Sequence, residues 1–293
     1  MRTVGDLHLP AGSAASAGDP VVVTPASAGW RYCGLRVVRL APGERRELPL
    51  GELEAAVVPL STVRLTADVD GERFTLRGRA SVFEQVPDYL YAPRDTTLAL
   101  AAPDGGDVAV ATAPARVRRV PRLLLAEGVG LEVRGSGRAT RQVVNFLTPE
   151  VDAPDRLLCC EVLTPAGGWS SHPPHKHDDA TLGAEAELEE IYYFRIQGDG
   201  GFGLHRTYDP AEGWDVTAAV ETDDVFLVPR GYHGPCAASP EHAMWYLNIL
   251  AGPGDVRSMA ISDDPAHAWV RGSWPEQVPD PRVPMIRPAT IRA

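Results

Sequence analysis

The stretch SSHPPHKHDD, residues 171–180, sets His175 and His177 two positions apart with Lys176 between them. On a β-strand, residues i and i+2 point to the same face. The two imidazoles can therefore converge on one ion while Lys176 points the other way. A carboxylate and a third histidine from neighbouring strands would complete a nitrogen and oxygen site for a divalent metal. Two residues stand where such partners are needed. Glu190 opens the aromatic run EIYYF, and His233 lies in VPRGYHGP, just after the run DVFLV.

Lys176 is the single lysine among 28 basic residues. In a chain that uses arginine everywhere else, a surviving lysine marks a place that needs a compact, bendable ammonium. Two roles are open to it, binding substrate or fixing the histidine strand. Other apparent motifs read more plainly. GDGGFG, residues 198–203, falls between two strand-like runs with no helix after it, and so predicts a hairpin turn rather than a phosphate loop. His205 alternates against Arg206 and reads as a surface residue, while His242 and His267 have no partner spacing. Cys236, near His233, reads as a buried thiol.

Positioning such side chains takes strands, and strands dominate the pattern. GLRVVRLAP, TVRLTADVDGERFTLRGRA, TTLALAAPDGGDVAVATA, LLCCEVLTPAG, EEIYYFRIQGDGGFGLHRTY, DVFLVPRG and AMWYLNIL are runs rich in Val, Leu, Tyr and Phe, bounded by Gly, Pro or Asp. The Asp-Gly of DVDGER and the Asp-Gly-Gly of APDGGDV predict hairpin turns. Twenty-seven prolines at run ends disfavour a helical bundle. Only TLGAEAELEE, residues 181–190, suggests a helix, and it reads equally well as a loop. An all-β sandwich or barrel repeated once follows, divided within SGRATRQVVNFLTPE, residues 136–150.

The bulk properties narrow the function. A net charge of −11 argues against nucleic acid, which needs a concentrated basic surface. It leaves room for an acidic small molecule, because a metal or a few arginines can reverse the potential inside a pocket. No run approaches the roughly 18–20 apolar residues that span a bilayer, and Met1–Asp19 lacks the apolar core of a signal peptide. Cys33, Cys159, Cys160 and Cys236 form no CxxC pair, which predicts reduced thiols and a cytoplasmic protein.

HKH, the following glutamate and PRGYH together resemble the metal motif of the cupins. More widely, WSSHPPHKHD, LEEIYYFRI, GFGLHRTYD, DVFLVPRGYHGP, YLNILAGP and DPAHAW, with SVFEQVPDYLYAPRD in the first half, resemble the 5-deoxy-glucuronate isomerase family of myo-inositol catabolism over most of the chain. That resemblance implies an all-β bicupin, with a first barrel at residues 1–140 and a second at 141–293. The second would carry one divalent ion (zinc, manganese or iron) on His175, His177, Glu190 and His233. Twelve residues separate His177 from Glu190, more than the general cupin spacing, which leaves Glu189 or Glu185 as alternatives. Glu190 is preferred because it directly precedes the aromatic strand. The first half has no HxH, so its role is expected to be structural.

The activity implied is aldose–ketose isomerisation of 5-deoxy-D-glucuronate to 2-deoxy-5-keto-D-gluconate. Hydrogen moves between C1 and C2, by proton transfer through a general base or by hydride shift. Tyr246 and Asn248 share a face of MWYLNIL, and Tyr192 shares one with Glu190. Candidate catalytic residues are thus Lys176, Tyr246 and Tyr192, with Asn248 as a substrate contact. Arg206, then Arg230, are candidates for gripping the substrate carboxylate, since guanidinium binds carboxylate bidentately. The expected partner is a small sugar acid, with no nucleic acid or membrane, and a homodimer is expected. Two other readings stay open, a cupin dioxygenase and a sugar-binding bicupin with a structural metal.

Overall fold

A computed structural model describes residues 2–180 and 184–289 of the chain. The apolar runs become central strands buried on both faces, because two barrels pack against each other. In Gly34–Leu40, Leu35 and Val37 face the core between the barrels, whereas Val38 and Leu40 face the inside of the first barrel. Glu189–Ile196 places Ile191 and Tyr193 between the barrels, with Tyr192, Phe194 and Ile196 inside the second. With apolar residues buried on both faces, these strands read as mostly apolar runs without alternation, interrupted by Arg36 and Arg39 in the first and Arg195 in the second. Trp214–Val220, on the outside, alternates buried and exposed instead.

The duplication expected from the sequence is present in the connectivity. In the first barrel, one sheet runs Tyr89–Ala92, Leu53–Pro59, Gly106–Pro114, Gly34–Leu40, Val21–Val23. In the second, the matching order is Val225–Val228, Glu189–Ile196, Met244–Ala251, Leu158–Thr164, Arg141–Leu147. The opposing sheets match as well. Glu72–Arg77, Arg64–Val69, Thr97–Ala101 and Arg45–Pro49 correspond to Trp214–Val220, Gly203–Asp209, Tyr232–Ala238 and His175–Lys176. The fold is a bicupin.

Several local expectations change. Arg64–Val69 and Glu72–Arg77 do form a hairpin, with Asp70 and Gly71 both at positive φ as its tight turn requires. The runs flanking Asp104-Gly105-Gly106 do not pair with each other, and neither do those flanking GDGGFG. In each case the glycine-rich segment carries the chain from one sheet of a barrel to the other. Of the possible helix at 181–190, residues 181–183 lie outside the described residues. Glu187 bridges Asp178, and Glu189 already begins a strand.

Sheet membership also departs from a division at 140/141. Gly130–Arg134 already belongs to the second barrel, and His8–Leu9 pairs with Val225–Phe226 there. Arg122–Leu124 takes the equivalent edge of the first barrel, beside Tyr89–Tyr91. Each barrel's leading strand is thus docked on its neighbour. Carboxylates, Glu54 buried and Glu189 half-buried, tie the same seam. Glu54 accepts backbone N–H groups of Asp155, Arg156 and Leu157, and Glu189 accepts those of Arg31, Tyr32 and Cys33. Arg79 forks onto Glu161 at 2.9 and 2.6 Å, and Trp245 Nε1 donates to the same carboxylate. A buried ion pair is tolerable only when its remaining hydrogen-bonding capacity is met. The Pro59 carbonyl helps meet it here.

Candidate metal and substrate site

The site closes across both sheets of the second barrel. His175 and His233 are direct antiparallel partners, with ring centroids 4.6 Å apart. His177 lies just beyond this strand and is held by a reciprocal pair: Leu188 N donates to its carbonyl, and its Nδ1 lies 3.1 Å from the Leu188 carbonyl. Glu190 reaches in from the opposite sheet two residues later. Next to His233, Gly234 has φ of +98°, and a Cβ there would lie 1.8 Å from the Ser171 carbonyl. Only glycine lets the segment before His175 pass so close to the His233 strand.

Ligand atoms of His177, Glu190 and His233 all fall within 4.8 Å of one another. Glu190 Oε2 is 3.0 Å from His177 Nε2 and 3.1 Å from His233 Nε2. The second contact is not aligned as a hydrogen bond, so His233 Nε2 is buried with no hydrogen-bond partner. Each histidine also turns Nδ1 to a backbone carbonyl: Pro173 for His175, Leu188 for His177 and Gly231 for His233. That contact turns Nε2 toward the shared site, the usual arrangement around a bound metal; here His177 Nε2 donates to Glu190 Oε2. On the carboxylate, Asn248 Nδ2 occupies Oε1 at 2.5 Å and leaves Oε2 toward the imidazoles. Orphaned nitrogen, anchored imidazoles and an oriented carboxylate fit a divalent ion. His175 stands beside His233 but outside the tight group of three.

Protonation follows the same geometry. Burial pushes His175 well below the usual imidazole range, keeping it neutral. Burial would also lower His177 and raise Glu190. The hydrogen bonds and charges between them outweigh it, raising His177 and holding Glu190 well below the usual carboxylate range. Tyr192 and Tyr246 are both lifted well above the ordinary phenol value, chiefly by burial. They are therefore proton donors at neutral pH rather than bases. Their hydroxyls meet on Ser171 Oγ, at 3.2 and 3.1 Å.

These groups border a cavity of about 800 Å³. Period-two alternation builds its wall: Glu190 and Tyr192, Tyr246 and Asn248, Cys160 and Val162, Arg141 and Val143, Glu132 and Arg134 come from five strands of one sheet. Among the described residues the first barrel offers no counterpart. The position of Glu190, opposite the last residue of the neighbouring strand, is taken there by Ala55, and the interior is filled by aliphatic side chains.

Residues 8–270 match the KduI/IolB family. The chain belongs to this family. A 5-deoxy-glucuronate isomerase of Geobacillus kaustophilus is 41% identical over 91% of this chain and 96% of its own length. One of Bacillus subtilis is 33% identical over 85% and 91%. Among solved structures, an IolB-like protein of Salmonella typhimurium superimposes with a TM-score of 0.84 at 36% identity, over 90% of this chain and 99% of that one. Oxalate decarboxylase of Bacillus subtilis shares the fold, with a TM-score of 0.61 at 11% identity over 88% and 78%.

Within this KduI/IolB chain, three expected contacts are not brought to the cavity. Lys176 points away from the imidazoles and binds Asp178 Oδ1 at 2.6 Å and Glu185 Oε1 at 2.8 Å. Asp178 in turn accepts Gly231 N, so the lysine ties the histidine strand to the turn before His233. Arg206 projects outward and is spent on Asp215 through two hydrogen bonds. Arg230, also outside, pairs with Asp209 and Glu212. Glu189 and Glu185, the alternatives to Glu190, are committed to backbone N–H groups elsewhere. His205 is fully buried, not on the surface, with Nδ1 2.9 Å from Cys236 Sγ and Nε2 3.0 Å from Thr207 Oγ1. Burial takes it down to about 3, so it is a neutral plug beneath the site. Sequence reasoning missed Arg134, Arg141, Glu132 and Ser171. The one available signal was alternation along RQVVNF and LEVR, which places Arg141 with Val143 and Arg134 with Glu132.

Proposed function

We propose that this chain is a 5-deoxy-glucuronate isomerase whose reaction is run in the second-barrel cavity. The observation that carries this reading is the buried His177–Glu190–His233 group, with His233 Nε2 unpartnered, opening on a cavity large enough for an open-chain sugar acid. These three residues, joined by His175, would hold one divalent ion, with zinc, manganese and iron all suited to the donor set. Such an ion, when bound, supplies Lewis-acid stabilisation of charge on the two adjacent substrate oxygens.

The protein's own groups do the rest. Asn248 fixes Glu190 in one orientation. Tyr192 and Tyr246, both protonated and joined through Ser171, would relay the O2 hydroxyl proton to O1 while the C2 hydrogen passes to C1. The apolar floor of Val143, Val162 and Cys160 limits water around the reacting carbons. The four free, buried cysteines suit a reducing compartment, and we place the enzyme in the cytoplasm.

The test is to strip metal with a chelator, add 5-deoxy-D-glucuronate, restore ions singly, and follow the product by NMR. Appearance of the 2-deoxy-5-keto acid only in restored protein supports the isomerase. Oxygen uptake would show a dioxygenase instead, and saturable binding without turnover a sugar sensor.

A further inference from the structure

Two arginines line the cavity, and they are not alike. Arg134 is neutralised by Glu132, which takes Nε at 2.8 Å and Nη2 at 2.6 Å. Arg141, 5% exposed, has no such partner. Its Nη1 donates to two neutral acceptors, the Ala139 carbonyl at 3.1 Å and the His172 carbonyl at 3.4 Å. Among the described residues no carboxylate pairs with it, and its Nε and Nη2 make no hydrogen bond. Trp274 lies against the guanidinium, 5.5 Å away. A buried cation without an anion is costly. Burial brings Arg141 down to about 10; Tyr246 opposes this, the nearby Arg134 and Arg271 charges add to it, and Glu132 opposes it least. The guanidinium is also anchored to the His172 carbonyl, three residues before His175, so it is aimed from the same segment that presents the imidazoles.

We infer that Arg141 receives the carboxylate of the sugar acid and makes the cavity select an acid over a neutral sugar. This rests on the isomerase reading for the identity of the ligand. Nε and Nη2 lie on one edge of the guanidinium plane and match the two oxygens of a carboxylate. Arg134 cannot serve in this way without giving up Glu132. The acid thereby supplies the counter-charge that Arg141 lacks, and its far end is directed to the histidines.

Calorimetric titration of metal-loaded protein with D-glucuronate and with its uncharged isostere D-glucuronamide tests this without turnover. Wild type should bind the acid about 10- to 100-fold more tightly, the range for hydrogen bonds to a charged group. In Arg141→Met the two ligands should bind alike, with metal content unchanged and the melting temperature no lower than wild type. Arg141→Lys, which keeps the charge but not the fork, should retain part of the preference. It also serves as the decisive variant if the methionine protein does not fold. Equal binding of acid and amide by wild type, no binding of the acid, or a full acid preference in the folded variants overturns the inference. Acid preference without isomerisation would sink only the isomerase reading. Isomerisation with an acid preference untouched by Arg141→Met would sink only this one.

Discussion

At the scale of single residues, the site depends on side chains that hold other side chains. Asn248 was expected at the substrate, yet its amide is engaged with Glu190 Oε1. Replacing it by alanine should weaken metal binding by about 10- to 100-fold, the usual effect of losing a group that orients a ligand. Competition with a fluorescent chelator reads this directly. Lys176 is a positioning residue of the same kind. Lys176→Met leaves Asp178 and the buried Glu185 facing each other and should cost about 1–3 kcal/mol in chemical denaturation. It should lower metal affinity as well. A substrate contact would instead raise KM and leave both of those unchanged.

At the scale of elements, the histidines are placed by close passage of backbones. Gly234→Ala puts a methyl group into the Ser171 carbonyl at a positive φ. The His175 and His233 strands must then part, so metal content should fall to a small fraction of wild type even where the protein remains folded. Metal analysis after gel filtration checks this. Another strand contact governs acid stability. Asp107 in the first barrel accepts from Arg39 and from Arg195 in the second. Burial alone would raise its carboxyl, but these hydrogen bonds and charges prevail and hold it below the usual range. A lowered folded-state value means stability that is present above the unfolded value of about 3.9 and lost as pH falls through the folded one. Asp107→Asn should therefore be less stable than wild type at pH 7. It should lose less on going from pH 5 to pH 3, as urea midpoints at each pH will show.

At the scale of the whole molecule, the two barrels share one core and are expected to fold as one unit. The core between them takes Leu35, Ala56 and Ala109 from the first and Ile191, Trp245 and Ile249 from the second. His8–Leu9 and the Glu54 and Glu189 anchors cross the seam in both directions. Residues 125–293 expressed alone would expose that core and lose the strand pairing of His8–Leu9. They should be aggregated or molten, while the full chain melts in one calorimetric transition. A cooperative transition in the isolated half would refute the mutual dependence of the barrels.

Much of this was readable in the order of residues. Strand content follows from Val- and aromatic-rich runs, and the HxH spacing with Glu190 and His233 marks out a nitrogen–oxygen cluster, because both depend on local period and side-chain chemistry. Pairing partners were less legible. The glycine segments at 104–106 and 198–203 look like hairpin turns, since turn chemistry is the same whether the chain returns to its own sheet or crosses to the opposite one. Direction was the other gap. Alternation separates His205 from Arg206 but does not say which of them faces inward, and a count of arginines does not reveal which already has an acid beside it. Arg206 and Arg230 are spent on outside carboxylates, whereas Arg141 is buried without one. That difference lies in contacts between distant parts of the chain, and only tertiary packing creates them.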